Sequence, residues 1–126
     1  MELKNIVLFE RYDGVRFVLE RSLSKYKSDI FIHSSHRMDE IKSLIQNRAI
    51  DLLITELDKL DTDGLEISCY ARKHYPDLKI IWITVFGCHE FQDYLKNLDI
   101  LHCIEKPLEI SKFRTDVLEA IGVSSK

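Results

Sequence analysis

The chain has 126 residues, 45% of them hydrophobic and 31% charged, with a formal net charge of −3. That is length enough for one domain with a proper core and an ordinary composition for a soluble protein. It excludes a broad basic field that would gather nucleic acid or an anionic membrane surface, and no apolar run approaches the roughly 20 residues of a membrane helix. The N-terminal Met-Glu-Leu-Lys-Asn has no signal-peptide layout, so a cytoplasmic location is expected. Cys69, Cys88 and Cys103 are odd in number and lack CxxC spacing; the expectation is buried, reduced thiols.

The expected elements alternate. Asn5–Phe9 is a short apolar run closed by Glu10-Arg11, which reads as a buried strand. Asp13 is a candidate N-cap for a helix carrying Val15, Val18, Leu19 and Leu23 at helical spacing. Ile30 to Ile32 form a second strand, and Ile41, Leu44 and Ile45 line one face of a second helix starting near Met38. Ile50–Thr55 is almost continuously apolar, as a strand buried on both faces requires. A third helix spans Leu65–Tyr75, with Asp63 as candidate N-cap, and Pro76 stops it. Lys79–Thr84 is a fourth strand with Trp82 in its core, and a weaker helix covers about Glu90–Asn97. Leu101–Ile104 is a fifth strand, followed by Lys106-Pro107 and a last helix bearing Ile110, Phe113, Val117, Leu118 and Ile121.

Strands alternating with amphipathic helices predict a doubly wound parallel α/β domain with right-handed crossovers. One domain is expected over 1–126, its core at 4–121, with 122–126 a frayed tail or the start of a linker. The most informative stretch is 50–64. There an apolar strand stops at Glu56, and Asp58, Asp61 and Asp63 follow before Gly64. In an open parallel sheet, ligands and chemistry collect beyond the carboxyl ends of the strands. An acidic loop that only keeps the surface soluble is the bland alternative.

The strand ends, in order, carry Glu10-Arg11, Glu56 with Asp63-Gly64 after it, Thr84, and Lys106-Pro107. This arrangement resembles the receiver domain of bacterial response regulators over about residues 4–121. The resemblance implies a flavodoxin-like (βα)5 three-layer sandwich, its five parallel strands in the order 2-1-3-4-5. It implies that an Asp after strand three accepts a phosphoryl group from a histidine kinase. Two acids after strand one would hold Mg²⁺, and the Thr and Lys would bind phosphate. Carried over by position, Glu56 stands at the phosphoacceptor, Glu10 and Arg11 at the acidic pair, Thr84 and Lys106 at the phosphate ligands, and Cys103 at the aromatic switch position. Leu60 replaces the usual Pro, and Asp99-Ile100 the usual Gly-Ala.

The departures alter the chemistry. Arg11 has five donors, no acceptor and a permanent charge, so it repels a cation rather than ligating one. Glu56 is one methylene longer than Asp, and near-attack geometry fails at about the 1 Å scale. The same reach aims its carboxylate toward Thr84 and Lys106, roughly where a phosphoryl group would lie. Glu56 therefore reads as an imperfect imitation of the phosphorylated state, and Arg11 as a fixed positive charge between Glu10 and Glu56 in place of the metal. A structural ion-pair network with no signalling role is the competing account.

The expectation is an atypical receiver that binds protein partners (sensor kinase, effector domain or other signalling protein) rather than catalysing a reaction. Mg²⁺ binding would be lost, and neither nucleic acid nor membrane would be bound. Its output surface would be the fourth and last helices and strand five, with Phe91, Tyr94, Phe113 and the Cys103 region prominent. Two alternatives stand beside it: a phosphorylatable receiver using Asp58 or Asp61, and a homodimerising module of a longer regulator. Zn²⁺ at Cys88, His89, His102 and Cys103 is disfavoured by the lack of paired ligand spacing, and no Gly-rich loop supports nucleotide hydrolysis.

Overall fold

The protein is described from a computed structural model covering residues 3–124; positions 125–126 of the expected tail lie outside the described residues. Five strands, β1 (Lys4–Phe9), β2 (Ile30–Ser35), β3 (Leu52–Glu56), β4 (Lys79–Thr84) and β5 (His102–Glu105), form one parallel sheet in the order β2-β1-β3-β4-β5. The helices are α1 (Asp13–Ser22), α2 (Met38–Asn47), α3 (Asp63–His74), α4 (Gln92–Asn97) and α5 (Ile110–Ile121), with single 3₁₀ turns at Ser24–Tyr26 and Cys88–Phe91. This is the expected flavodoxin-like topology.

Strand side chains alternate between faces, so the sheet sorts its apolar residues into two cores. Ile6, Leu8, Leu52, Ile54, Ile81 and Ile83 pack with Leu19 of α1 and with Phe113 and Val117 of α5. Val7, Phe9, Leu53, Ile80 and Trp82 pack with Ile41 and Ile45 of α2, Ile67 and Ala71 of α3, and Phe91. The near-continuous apolar runs of β1, β3 and β4 follow from burial on both sides. The register Ile6↔Leu52 joins β1 to β3 and Trp82↔Cys103 joins β4 to β5.

Several local expectations are corrected. Both proposed acidic N-caps are first helical residues instead; Tyr12 and Thr62 occupy the cap positions, and neither makes a side-chain cap bond. Asp13 and Asp63 still favour their helices, because a negative charge in the first turn opposes the helix dipole. α3 thus begins two residues before Leu65. Phe113 and Phe91 are core residues rather than an output surface, whereas Tyr94 is exposed. Cys88 and Cys103 are joined by a disulfide, not reduced, and Cys69 is an exposed thiol rather than a buried one. The thiol expectation rested on odd number and loose spacing, and neither registers that β5 lies beside the turn following β4. Among the described residues, no helix is long and apolar enough to cross a membrane.

Candidate functional site at the carboxyl end of the sheet

β1 and β3 are adjacent, and the chain leaves them in opposite directions across the sheet. Ligand sites of open α/β sheets form at such a switch point. Glu10 follows the end of β1 and Glu56 ends β3, so both carboxylates meet there. Lys106 is delivered from the far edge by the segment after β5, whose Lys106 backbone N–H donates to the Thr84 carbonyl at 2.7 Å.

Lys106 Nζ lies 2.7 Å from Glu10 Oε1 and 2.9 Å from Glu56 Oε2. The three side chains are 11%, 0% and 5% exposed. Charges so deeply placed persist only when paired. Burial raises the Glu10 pKa; Lys106 and the Tyr12 N–H, which donates to Oε2 at 3.1 Å, oppose the rise without cancelling it. Burial works against the Lys106 ammonium, but its bonds to Glu10 and Glu56 outweigh that and raise its pKa overall. Lys106 Nζ also sits over the Tyr12 ring, 5.6 Å from its centroid, a cation–π placement.

Arg11 occupies a different position from the one expected. Among the described residues no ion pair joins it to Glu10. Its Nη1 reaches Asp61 Oδ2 at 2.8 Å and its Nε lies 3.4 Å from Glu56 Oε1. Burial opposes the Arg11 charge, while Asp61, Glu56 and Asp58 raise its pKa overall. Asp61 also accepts the Asp63 N–H at 2.8 Å, and Asp58 accepts the Leu60 N–H at 2.9 Å. The pocket is therefore a chain of alternating charge running Glu10, Lys106, Glu56, Arg11, Asp61. Glu10 Oε1 and Glu56 Oε1 make no hydrogen bond of standard geometry among the described residues and rest on these ion pairs alone.

Thr84 is fully buried near the pocket, and its Oγ1 accepts the Phe86 N–H at 3.1 Å. Among the described residues no hydrogen bond joins it to Glu56, so the expected reach of Glu56 holds for Lys106 and not for Thr84. Cys103 lies on β5, half-buried, bonded to Cys88. Mg²⁺ takes an octahedral oxygen shell with one or two protein carboxylates. Here two fixed cations face Glu10, Glu56 and Asp61, so the donor set does not fit a divalent ion. Among the described residues no group of three or more His, Cys, Asp or Glu side chains is placed to hold a metal.

Two residues take roles the sequence does not assign them. Asp61, one acid of the loop and an alternative acceptor by sequence, is the nearest partner of Arg11. Gly64 is required by close approach: a Cβ there would lie 1.9 Å from the Glu56 carbonyl oxygen. The start of α3 thus rests directly on the backbone of Glu56, and only glycine permits it. The spacing of Gly64 from Glu56 was the available signal.

No protein-family model matches the chain. The response regulator protein PilR of Pseudomonas aeruginosa is 22% identical over 121 residues, which is 96% of this chain and 27% of PilR. The chain therefore spans about a quarter of the length of that relative. Among solved structures, the non-phosphorylated HemR receiver domain of Leptospira biflexa superposes with a TM-score of 0.82 at 22% identity, covering 98% of both chains. A CheY-like response regulator receiver domain protein of Methanospirillum hungatei gives 0.83 at 19% identity, over 96% of this chain and 95% of that one. A Thermotoga maritima response regulator gives 0.82 at 13% identity, over 96% and 99%.

Proposed function

We propose that this chain, a response-regulator receiver domain in its fold, acts in two-component signalling by binding protein partners, with its acceptor pocket held by internal ion pairs. The supporting observation is Lys106 Nζ between Glu10 and Glu56, at 2.7 and 2.9 Å. By the family resemblance this lysine would hold a phosphoryl group; here it already holds a carboxylate. Arg11 supplies a second fixed cation, so the charge balance of the pocket needs neither Mg²⁺ nor phosphate. Glu56 offers two oxygens and one charge, against the three oxygens and larger charge of a phosphoryl group. The pocket imitates an occupied site without reproducing it. Sensor kinases, effector domains and other signalling proteins are the partner classes, and the domain binds rather than catalyses.

Treatment with acetyl phosphate and Mg²⁺, followed by intact mass, tests this. The expected mass is unchanged. A phosphoryl adduct removed by hydroxylamine, on Asp58, Asp61 or Glu56, overturns the reading. The Arg11→Asp/Glu56→Asp double variant should regain both Mg²⁺-dependent stabilisation and the adduct, while Glu56→Asp alone should not. Light scattering of the parent separates a homodimeric module from a monomer that recruits other chains.

A further inference from the structure

We infer that Cys88 and Cys103 are a reversible thiol–disulfide pair, and that their redox state sets the mobility of the surface made by α4 and its flanking turns. The two Cα atoms are 6.0 Å apart and the bond spans a sequence separation of 15, enclosing α4 entirely. Cys88 opens the 3₁₀ turn after β4, and Cys103 lies in the middle of β5 beside Trp82 of β4.

The enclosed segment is only partly anchored by everything else. α4 has six residues and none of them is buried, and a helix that short does not hold itself in water. Leu95, Leu98 and Ile100 pack half-buried against the core, and the Leu101 N–H donates to the Ile80 carbonyl at 2.9 Å; the ties nearer Cys88 are fewer. Phe91 packs edge-on against Trp82 at 6.3 Å between ring centroids. The Cys88 N–H donates to Glu105 Oε1 at 2.8 Å, and Glu90 pairs with Lys59. At the far end Arg72 donates to the Leu98 carbonyl at 2.8 Å. The polar contacts among these lie at or near the surface and are worth little individually. The covalent bond ties down the Cys88 end of the segment, ahead of the core contacts of Phe91.

Both cysteines are half-buried, open enough for a small thiol reagent to reach, unlike the inert thiols of a sealed core. The oxidant class is a low-molecular-weight disulfide such as oxidised glutathione. One thiolate of the pair attacks it, forming a mixed disulfide and releasing one glutathione thiolate. The second cysteine thiolate attacks the protein sulfur of that mixed disulfide, forming the Cys88–Cys103 bond and releasing the second thiolate. Two cysteine thiols lose two electrons and two protons, and one disulfide becomes two thiols. Reduced glutathione reverses both steps. Cys69 is exposed on α3 and takes no part.

The inference rests on the proposed binding role only for what the mobile surface does downstream; the bond chemistry stands apart from phosphorylation. The test uses the full chain carrying Cys69→Ser, equilibrated at graded ratios of reduced to oxidised glutathione. Acid quench, maleimide labelling and intact mass count the thiols, and amide hydrogen exchange is followed by peptide over 85–105. Labelling should pass from none to two maleimides in a single step within the series. Reduction should speed exchange in that segment several-fold at labelling times too short for β1 and β3, which open only with the whole fold, to exchange. The Cys88→Ser/Cys103→Ser variant should reproduce the exchange map of the reduced protein. Two free thiols at every ratio, or a bond that survives every ratio, overturns reversibility. A bond that opens without changing exchange in 85–105 overturns the control of that surface. If the serine variant fails to fold, the parent's own reduction series still decides.

Discussion

Two regions at the same end of the sheet are restrained in opposite ways. At the β1–β3 switch point the restraint is charge: Lys106 joins residues far apart in sequence, Glu10 and Glu56, and all three are nearly sealed from solvent. At the β4–β5 edge the restraint is sulfur: Cys88 and Cys103, half-exposed, close a short loop around a helix with no buried residue. The difference follows from where the core lies. Beneath the switch point two apolar clusters meet strands buried on both faces, so ions there are desolvated and their pairing is strong. At the edge the core thins, ion pairs face water, and a covalent link achieves what they cannot. Under the roles proposed above, the first region gives up its capacity for change and the second keeps it, conditional on redox chemistry.

The largest effect should come from Lys106→Met. It leaves Glu10 fully buried and without its cation, and breaking a buried pair from one side costs about 3–5 kcal/mol. Chemical denaturation at neutral pH measures it; a loss under about 1 kcal/mol would contradict the burial and pairing described here. The pH dependence has a defined sign. Lys106 is raised in the fold, so its stabilisation is complete below the ordinary lysine value of about 10.4 and fades as pH climbs through the higher folded value. Glu10 is also raised, so its ionisation is a cost that grows as pH rises above about 4.3 and is relieved in acid. The deficit of Lys106→Met should therefore shrink toward acid pH, as Glu10 takes up a proton.

Reducing Cys88–Cys103 should come next, at about 3 kcal/mol from the loop entropy returned to the unfolded chain. Urea melts with and without reductant give the difference directly, and equal midpoints would show that the bond restrains nothing. Gly64→Ala should cost about 1–3 kcal/mol, since the new methyl must push the start of α3 off the Glu56 carbonyl. That variant should disturb the backbone amide signals of Glu56 and Leu57 while leaving Cys103 unmoved; the reverse pattern would contradict the close approach. Arg11→Gln should cost least, about 1–2 kcal/mol, because Arg11 is 32% exposed and water replaces part of what it gives Glu56. A cost equal to that of Lys106→Met would mean Arg11 is the principal cation of the pocket.

The layered sheet was legible because burial on both faces writes itself into β1, β3 and β4 as apolar runs, and strand ends announce themselves with Glu10, Glu56 and Lys106. The meeting of those three could be anticipated once the strands were ordered. What Arg11 touches could not, since the loop holding Asp61 has no periodicity and its path depends on Gly64 resting against Glu56. The disulfide was hidden for a related reason. Cys88 and Cys103 become neighbours through the turn after β4 and the register of β5, and spacing in the chain reports neither. Helix starts moved by one or two residues because Asp13 and Asp63 favour an N-cap and a first turn almost equally.

Trp82 gives the molecule a property of its own. It is the single tryptophan of the chain. By register it stands between Thr55 of β3, one residue before Glu56, and Cys103 of β5. Its indole N–H donates to the Ser68 hydroxyl at 2.8 Å, and that hydroxyl donates to the Gly64 carbonyl at 2.8 Å, above the Glu56 backbone. One chromophore is thereby wired to both regions. A neighbouring sulfur–sulfur bond drains indole excitation more than two thiols do, so emission intensity should follow the edge. The hydrogen bond to Ser68 sets the local polarity, so emission wavelength should follow the seating of α3 on β3. A single unlabelled cuvette reading would then separate the two regions by brightness and by colour.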